Sequence, residues 1–414
     1  MIKIKYLFWP AVISCFLLEA FIINFFDVIV LFPIRIVALL VLPVILLFPS
    51  KIVAKGTLGY ASNLITFMLF YGIISLIWSP DPLLGLRQFT MVLTGAVIFL
   101  FIIRYANNLN VLKKIMIVWS IFSILASLLG FYETYSEQYI FNHVTDLGAT
   151  DIESYRIWDI GWLTPRSFFP GPNEFAFFNA ITSLILMGWA FEERGFYRRI
   201  AFIGSILSLI LVINSFSRAA VGGLIIGQVV FIFTILSRAR LVYKILMILF
   251  ILFLSAYFLY LSQDFFNNNL AISLLKYKIE NQDNSTRLFY ATSALYNGTI
   301  GSLGFGKGLG ASTEIIQGGS YHSYLLEILA EYGLWFFIGY LSLIAKVCIQ
   351  LYSAIKKRRN IYWSGGILAS CVAFPALCSG PASLLAIYPY WLWLALIVSY
   401  SSCLFNNIQL KTNN

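Results

Sequence analysis

Twelve apolar stretches, each about long enough to cross a bilayer, occupy most of this 414-residue chain, and they restrict it to one class of fold. A hydrocarbon core of ~30 Å needs about 20 apolar residues at helical rise. Such runs recur at roughly 6–26, 28–50, 60–79, 86–104, 113–132, 173–191, 199–216, 219–237, 242–262, 322–352, 361–380 and 384–405. With 60% hydrophobic and 11% charged residues, a soluble globule would lack the polar surface to cover itself. The predicted fold is an all-α polytopic membrane protein of about 12 transmembrane helices, one integral membrane domain over 1–414.

The basic residues set the expected orientation. With a cytoplasmic N-terminus, 19 of the 28 lysines and arginines fall inside, among them the run Lys356, Lys357, Arg358 and Arg359, and nine fall outside. That bias fits twelve spans with both termini cytoplasmic. Acidic residues gather in the opposite loops, including Glu133, Glu137, Asp146, Asp151, Glu153 and Asp159. The net charge of +10 therefore describes topology and implies no nucleic-acid partner. Lys3 and Lys5 precede the first run, which has no small-x-small cleavage site near its end, so a retained first helix is expected. Cys15, Cys348, Cys371, Cys378 and Cys403 lie in or at the ends of apolar spans without metal-ligand spacing, and read as packing residues.

Two extracytoplasmic loops, 133–172 and 263–321, are long, and long loops usually carry function. In the second, Ser285 can cap an amphipathic helix on which Leu288, Ala291, Thr292 and Leu295 share a face. Such a helix would lie near the membrane surface or cover a cavity, so the two loops are expected to roof an outward-facing chamber. The first loop ends in Pro165-Arg166 and Pro170-Gly171-Pro172-Asn173. Proline and glycine delay the helix to Asn173, a good cap, and leave Arg166 near the helix mouth. Arg218, in Asn214-Ser215-Phe216-Ser217-Arg218, sits at or just below the outer interface. A charge there faces a protein interior or a wet cavity unless it snorkels to lipid headgroups.

Arg287 lies on the amphipathic helix. The Gly306-Lys307 pair after it mimics a phosphate loop, but Gly308 stands where Ser or Thr is required. Nucleotide binding is rejected, and the run 301–310 reads as a flexible turn whose backbone can approach a ligand. His322, one of two histidines, opens the tenth span in Tyr321-His322-Ser323-Tyr324. It could act as a general base or as a capping residue. Glu327 and Glu331 share a helical face toward the chamber, as reserve base or as partners of the arginines.

In this order, Arg166 with Pro172, Asn173 and Ala176, then Ser217-Arg218-Ala219, Arg287, Gly304-Phe305-Gly306, and His322 with Leu326, Glu327 and Gly333, the motifs resemble the O-antigen ligase and polymerase superfamily. The resemblance covers about 160–340 by motif and the whole chain by helix count and loop placement. It implies a GT-C-like glycosyltransferase of the bacterial inner membrane with its active site on the periplasmic face. The donor would be an oligosaccharide repeat unit on undecaprenyl diphosphate. Arg166, Arg218 and Arg287 would hold the diphosphate, since arginine's fork suits phosphate oxygens, and would stabilise its departing charge. His322 would be the base, Arg218 and Glu327 would complete the catalytic set, and Asn173, Ser217, Tyr321 and Glu331 would contact substrate. No cofactor is implied, and the absence of Asp-x-Asp on the outer face points away from a divalent metal.

A polymerase moves the chain onto another lipid-linked unit; a ligase moves it onto lipid A–core. His322-Ser323-Tyr324-Leu325-Leu326-Glu327 lacks the His-Asn-Glu-like pattern of several such ligases, which favours the polymerase. A chain-length regulator is a possible partner. The alternative from another class is a polytopic transporter or flippase. Against it, no internal repeat or paired interrupted helices are visible, and the candidate charges gather at one face.

Overall fold

The computed structural model of the protein describes residues 5–18, 23–25, 29–47, 56–141, 156–157, 162–236, 284–316, 321–381 and 383–412. The expected span at 242–262 and much of the two expected loops lie outside the described residues. The chain opens with α1 (Lys5–Leu17), a hairpin of β1 (Ile23–Phe25) and β2 (Ile29–Leu31), and α2 (Pro33–Leu47). Spans 6–26 and 28–50 are therefore shorter than expected. Leu18 turns left-handed and ends α1, and the isoleucine-rich stretch beyond it pairs as strands, Ile23 opposite Leu31.

Next come α3 (Gly56–Ser75), α4 (Pro82–Tyr105), α5 (Leu109–Ser136), α6 (Pro172–Glu192), α7 (Gly195–Asn214) and α8 (Arg218–Leu236), with a two-residue hairpin of β3 (Arg156–Ile157) and β4 (Trp162–Leu163) before α6. After residue 283 follow α9 (Asn284–Gly298), a 3-10 turn (Ile300–Ser302), the short α10 (Ala311–Ile315), α11 (Tyr324–Lys356), α12 (Ile361–Leu377) and α13 (Tyr388–Thr412). Seven of the described helices, α3 to α8 and α11, are long and apolar enough to cross a membrane. The chain is a multi-pass helical membrane protein.

Local chemistry sets several boundaries. Asp81 accepts from the Leu83 and Leu84 N–H groups at 3.0 and 2.9 Å, with Pro82 behind it, and starts α4. Asn108 caps α5 through the Val111 N–H at 3.0 Å. At the same end of the bundle, Lys113 pairs with Glu193 at 2.6 Å.

The helices gather around α6, which is buried along nearly its whole length, with α12 and α13. Gly188 and Gly366 let α6 and α12 touch: a Cβ on Gly188 would lie 2.8 Å from the Gly366 Cα. Polar side chains in this core pair with one another, as Trp119 Nε1 does with Thr182 Oγ1 at 2.9 Å and Trp393 Nε1 with Ser370 Oγ at 3.1 Å.

Candidate functional site

The N-terminal ends of α6, α8 and α11, the C-terminal end of α5 and the turn after α12 meet at one end of the bundle, and Arg166, Asn173, Ser217, Arg218, His322 and Glu327 lie there.

The mouth of α6 is built by Glu133 and Arg166. Glu133 lies in the last turn of α5, fully buried, rather than in a loop. Its Oε2 accepts from the Arg166 and Ser167 N–H groups at 2.9 and 2.7 Å. The Arg166 guanidinium is stacked 4.0 Å over the Tyr139 ring and donates to the Phe141 carbonyl at 3.0 Å. Tyr139 in turn donates to the Thr164 carbonyl at 2.9 Å. Arg166 is wholly enclosed, so it ties residues 139–141 to 164–169.

Gly171, not Asn173, occupies the cap position of α6, and Pro172 opens the helix. The expected capping role of Asn173 is corrected accordingly: a residue inside the first turn cannot cap it. Its exposed side chain turns instead toward Gly380, whose Cβ position lies 3.9 Å from Asn173 Oδ1 and 3.4 Å from Ser217 Oγ. Ser217 is buried just before α8, its carbonyl accepting from the Val221 N–H at 2.9 Å. Arg218 follows as the first residue of α8 and is exposed. A cation at a helix N-terminus opposes the helix dipole, so this arginine is not there to stabilise α8.

His322 is exposed and left-handed, with φ 46°. Ser167 and Phe216, at the mouths of α6 and α8, are left-handed too, both at φ 52°. Non-glycine residues held in this region cluster at functional sites. Beside His322, the Tyr324 N–H donates to the Cys378 carbonyl at 3.0 Å. Between α11 and α13, the Tyr324, Tyr390 and Tyr340 hydroxyls form a buried chain at 2.9 and 2.8 Å. Glu327 is buried and hydrogen-bonds Ser383, while its Oε2 has no partner among the described residues.

Tyr321 and Glu331 face packing partners. The buried Tyr321 hydroxyl faces Ser293 and Asn297 of α9, and burial pushes the phenol above its usual range. Glu331 Oε1 accepts from Ser312 Oγ at 2.6 Å and the Ser312 N–H at 3.2 Å. Arg287 falls in the first turn of α9, which begins one residue before the expected cap Ser285.

The glycine run is not a flexible turn. α11 is interrupted at Gly333 (φ 80°, ψ 176°). The Lys307 and Gly308 N–H groups donate to the Ala330 and Glu331 carbonyls at 2.8 and 3.1 Å. Leu309 is gripped from α3 and its following turn, Ser79 Oγ donating to its carbonyl at 2.6 Å. Gly310 donates to Gln88 of α4 at 2.9 Å. Gly306, Gly308 and Gly310 approach protein backbone, and Lys307 and Gly308 satisfy two carbonyls next to the broken helix, as buried backbone requires.

What gathers the site is a segment that sequence reasoning passed over, the turn from Cys378 to Ser383. Gly380 meets Asn173 and Ser217 on one side; Cys378 and Ser383 meet Tyr324 and Glu327 on the other. The available signal was Ser379-Gly380-Pro381, a turn former flanked by serines between two apolar runs.

No family model matches the chain. It is 24% identical over 376 residues to the teichuronic acid biosynthesis protein TuaE of Bacillus subtilis (strain 168), a match covering 83% of this chain and 72% of that protein.

Proposed function

We propose that the protein is a surface-polysaccharide polymerase that transfers a glycan from undecaprenyl diphosphate to a sugar hydroxyl of another lipid-linked repeat unit, with inversion and without a metal. The observation that carries this reading is the convergence of Asn173, Ser217, Tyr324 and Glu327 on the 378–383 turn, with exposed Arg218 and His322 at the same end of the bundle. The similarity to a protein of teichuronic acid biosynthesis supports a polysaccharide-building role, and the segment His322–Glu327, which lacks a His-Asn-Glu-like pattern, favours a polymerase over a ligase acting on lipid A–core.

In this mechanism the acceptor hydroxyl attacks the anomeric carbon as the bond from that carbon to the diphosphate oxygen breaks. The electron pair leaves on the diphosphate, where the Arg218 fork bonds phosphate oxygens and lowers the barrier. Arg287 assists from α9, and Arg166 adds positive charge from within the wall. His322 takes the hydroxyl proton, with Glu327 in reserve. Asn173 and Ser217 orient sugar hydroxyls, and Tyr321 and Glu331 hold the wall of the site.

Purified protein incubated with a lipid-diphosphate oligosaccharide tests the reading. Polymer and released undecaprenyl diphosphate are expected in step. Movement of intact substrate across a vesicle membrane with no bond broken would favour the transporter instead.

A further inference from the structure

α9 shows its apolar side away from the protein. It buries Ala294, Asn297 and Gly298 toward α11, where a Cβ on Gly298 would strike the Leu329 backbone, and it exposes Leu288, Phe289, Leu295 and Tyr296. The turn that follows adds Ile300, Leu303 and Phe305, exposed to 79%, 82% and 54%. So large a contiguous apolar patch marks a contact surface. It continues onto a membrane-spanning helix: the Cβ position of Gly304 lies 2.9 Å from Nε1 of Trp335, itself 61% exposed, and exposed Ile338 and Ile349 follow down α11.

Two further observations fix the depth and the occupant. Below the break at Gly333, the 334–356 part of α11 is ~34 Å long at helical rise, close to the ~30 Å of a hydrocarbon core. Trp335 then marks one boundary of the bilayer, where tryptophan is enriched. The turn is locked at that level, because Gly304 N–H donates to the Thr299 carbonyl at 2.7 Å and Lys307 and Gly308 are bonded to α11. Leu303 also holds a left-handed φ of 54°, a conformation in which glycine would be relaxed. A leucine there puts an apolar side chain outward at the cost of strain, which burial in lipid offsets.

We propose that α9 and the 299–305 turn are docked into the bilayer leaflet on the His322 side, with Leu288, Leu295, Ile300, Leu303 and Phe305 among the acyl chains. The segment is thus a lipid-facing wall of the protein, not a roof over an open chamber. Insertion of this kind buries an apolar face ~5–10 Å into the headgroup and acyl boundary. The inference does not depend on the polymerase reading.

The test places a clickable amino acid bearing a polarity-sensitive fluorophore at Leu303 or at Glu314, which is exposed on α10. The full protein is reconstituted in vesicles of phosphatidylcholine and phosphatidylglycerol, part of the phosphatidylcholine brominated on its upper acyl carbons. The Leu303 probe is expected to be blue-shifted and quenched by brominated lipid several-fold more than the Glu314 probe, and iodide to quench only the latter. Iodide quenching at Leu303 equal to that at Glu314 would overturn the proposal. Hydroxyl-radical footprinting of the unaltered protein in the same vesicles guards against a perturbed variant. Phe305 and Trp335 should be protected there and oxidised after transfer to urea; oxidation at the fully exposed rate in vesicles would also overturn it.

Discussion

Replacing Gly306 with alanine tests the clamp that holds the broken helix. Gly306 is left-handed at φ 76°, and an added Cβ would lie 2.5 Å from the Glu331 carbonyl oxygen and 2.6 Å from the Gly333 nitrogen. Backbone atoms on both sides cannot swing away as a side chain could. The left-handed conformation alone costs an alanine about 1 kcal/mol, and forced overlap in a packed site adds ~1–3 kcal/mol. Gly195→Ala is the matched control. Gly195 has nearly the same φ, 63°, with nothing within 4 Å of its Cβ position, so only the conformational cost remains. Both variants can be followed in detergent with a thiol-reactive dye that reports exposure of the buried Cys15, Cys371 and Cys378 on heating. At ~2–4 °C per kcal/mol for domains of 150–250 residues, Gly306→Ala should unfold a few degrees below Gly195→Ala. It should also lose more activity, because the displaced backbone belongs to Glu331. Equal unfolding temperatures would refute the clamp.

Other outcomes follow from the same geometry. Arg166→Ala should lower stability by ~1–3 kcal/mol, because the Phe141 carbonyl loses its buried donor and the Tyr139 ring its stacking partner, with a falling yield of folded protein as the readout. Arg218→Lys should fold normally, since the residue is exposed, yet turn over poorly because a point charge cannot reproduce a bidentate fork; wild-type kinetics would remove the diphosphate from this position. A cysteine replacing exposed Glu314 should react with an impermeant maleimide in intact cells, and one replacing exposed Arg358 only after permeabilisation. The reverse pattern would invert the topology.

Periodicity and length made most of the described helices legible. The 86–104 run grows to Pro82–Tyr105 because Asp81 and Pro82 start the helix four residues early. The first two runs misled because hydropathy measures affinity for an apolar environment, and the isoleucines of β1 and β2 suit a hairpin as well as a helix. Gly333 stood in the motif, but the helix break at it was not legible, for another reason. Tyr332 and Leu334 continue the apolar pattern through it, and only a partner 25 residues upstream, Gly308, satisfies the Glu331 carbonyl beside it. The candidate site was half legible. Charged residues on the wrong side of a hydrophobic background, such as Arg218 and Glu327, announce themselves by cost. Serines do not, and Ser383 gains meaning only because the fold sets it against Glu327. Asn173 read as a cap because the residue type suits that role, whereas Gly171 took it and freed the asparagine.

Single-turnover transfer by purified protein in excess EDTA, comparing the wild type with His322→Ala and Glu327→Gln, tests the central claim most directly. Wild-type activity should survive EDTA. His322→Ala should be slowed ~10²–10⁴-fold, the usual contribution of a general base, while its affinity for the lipid-diphosphate donor is unchanged. Loss of wild-type transfer in EDTA, or full-rate transfer by both variants, would contradict a metal-free polymerase working at the mouth of α11.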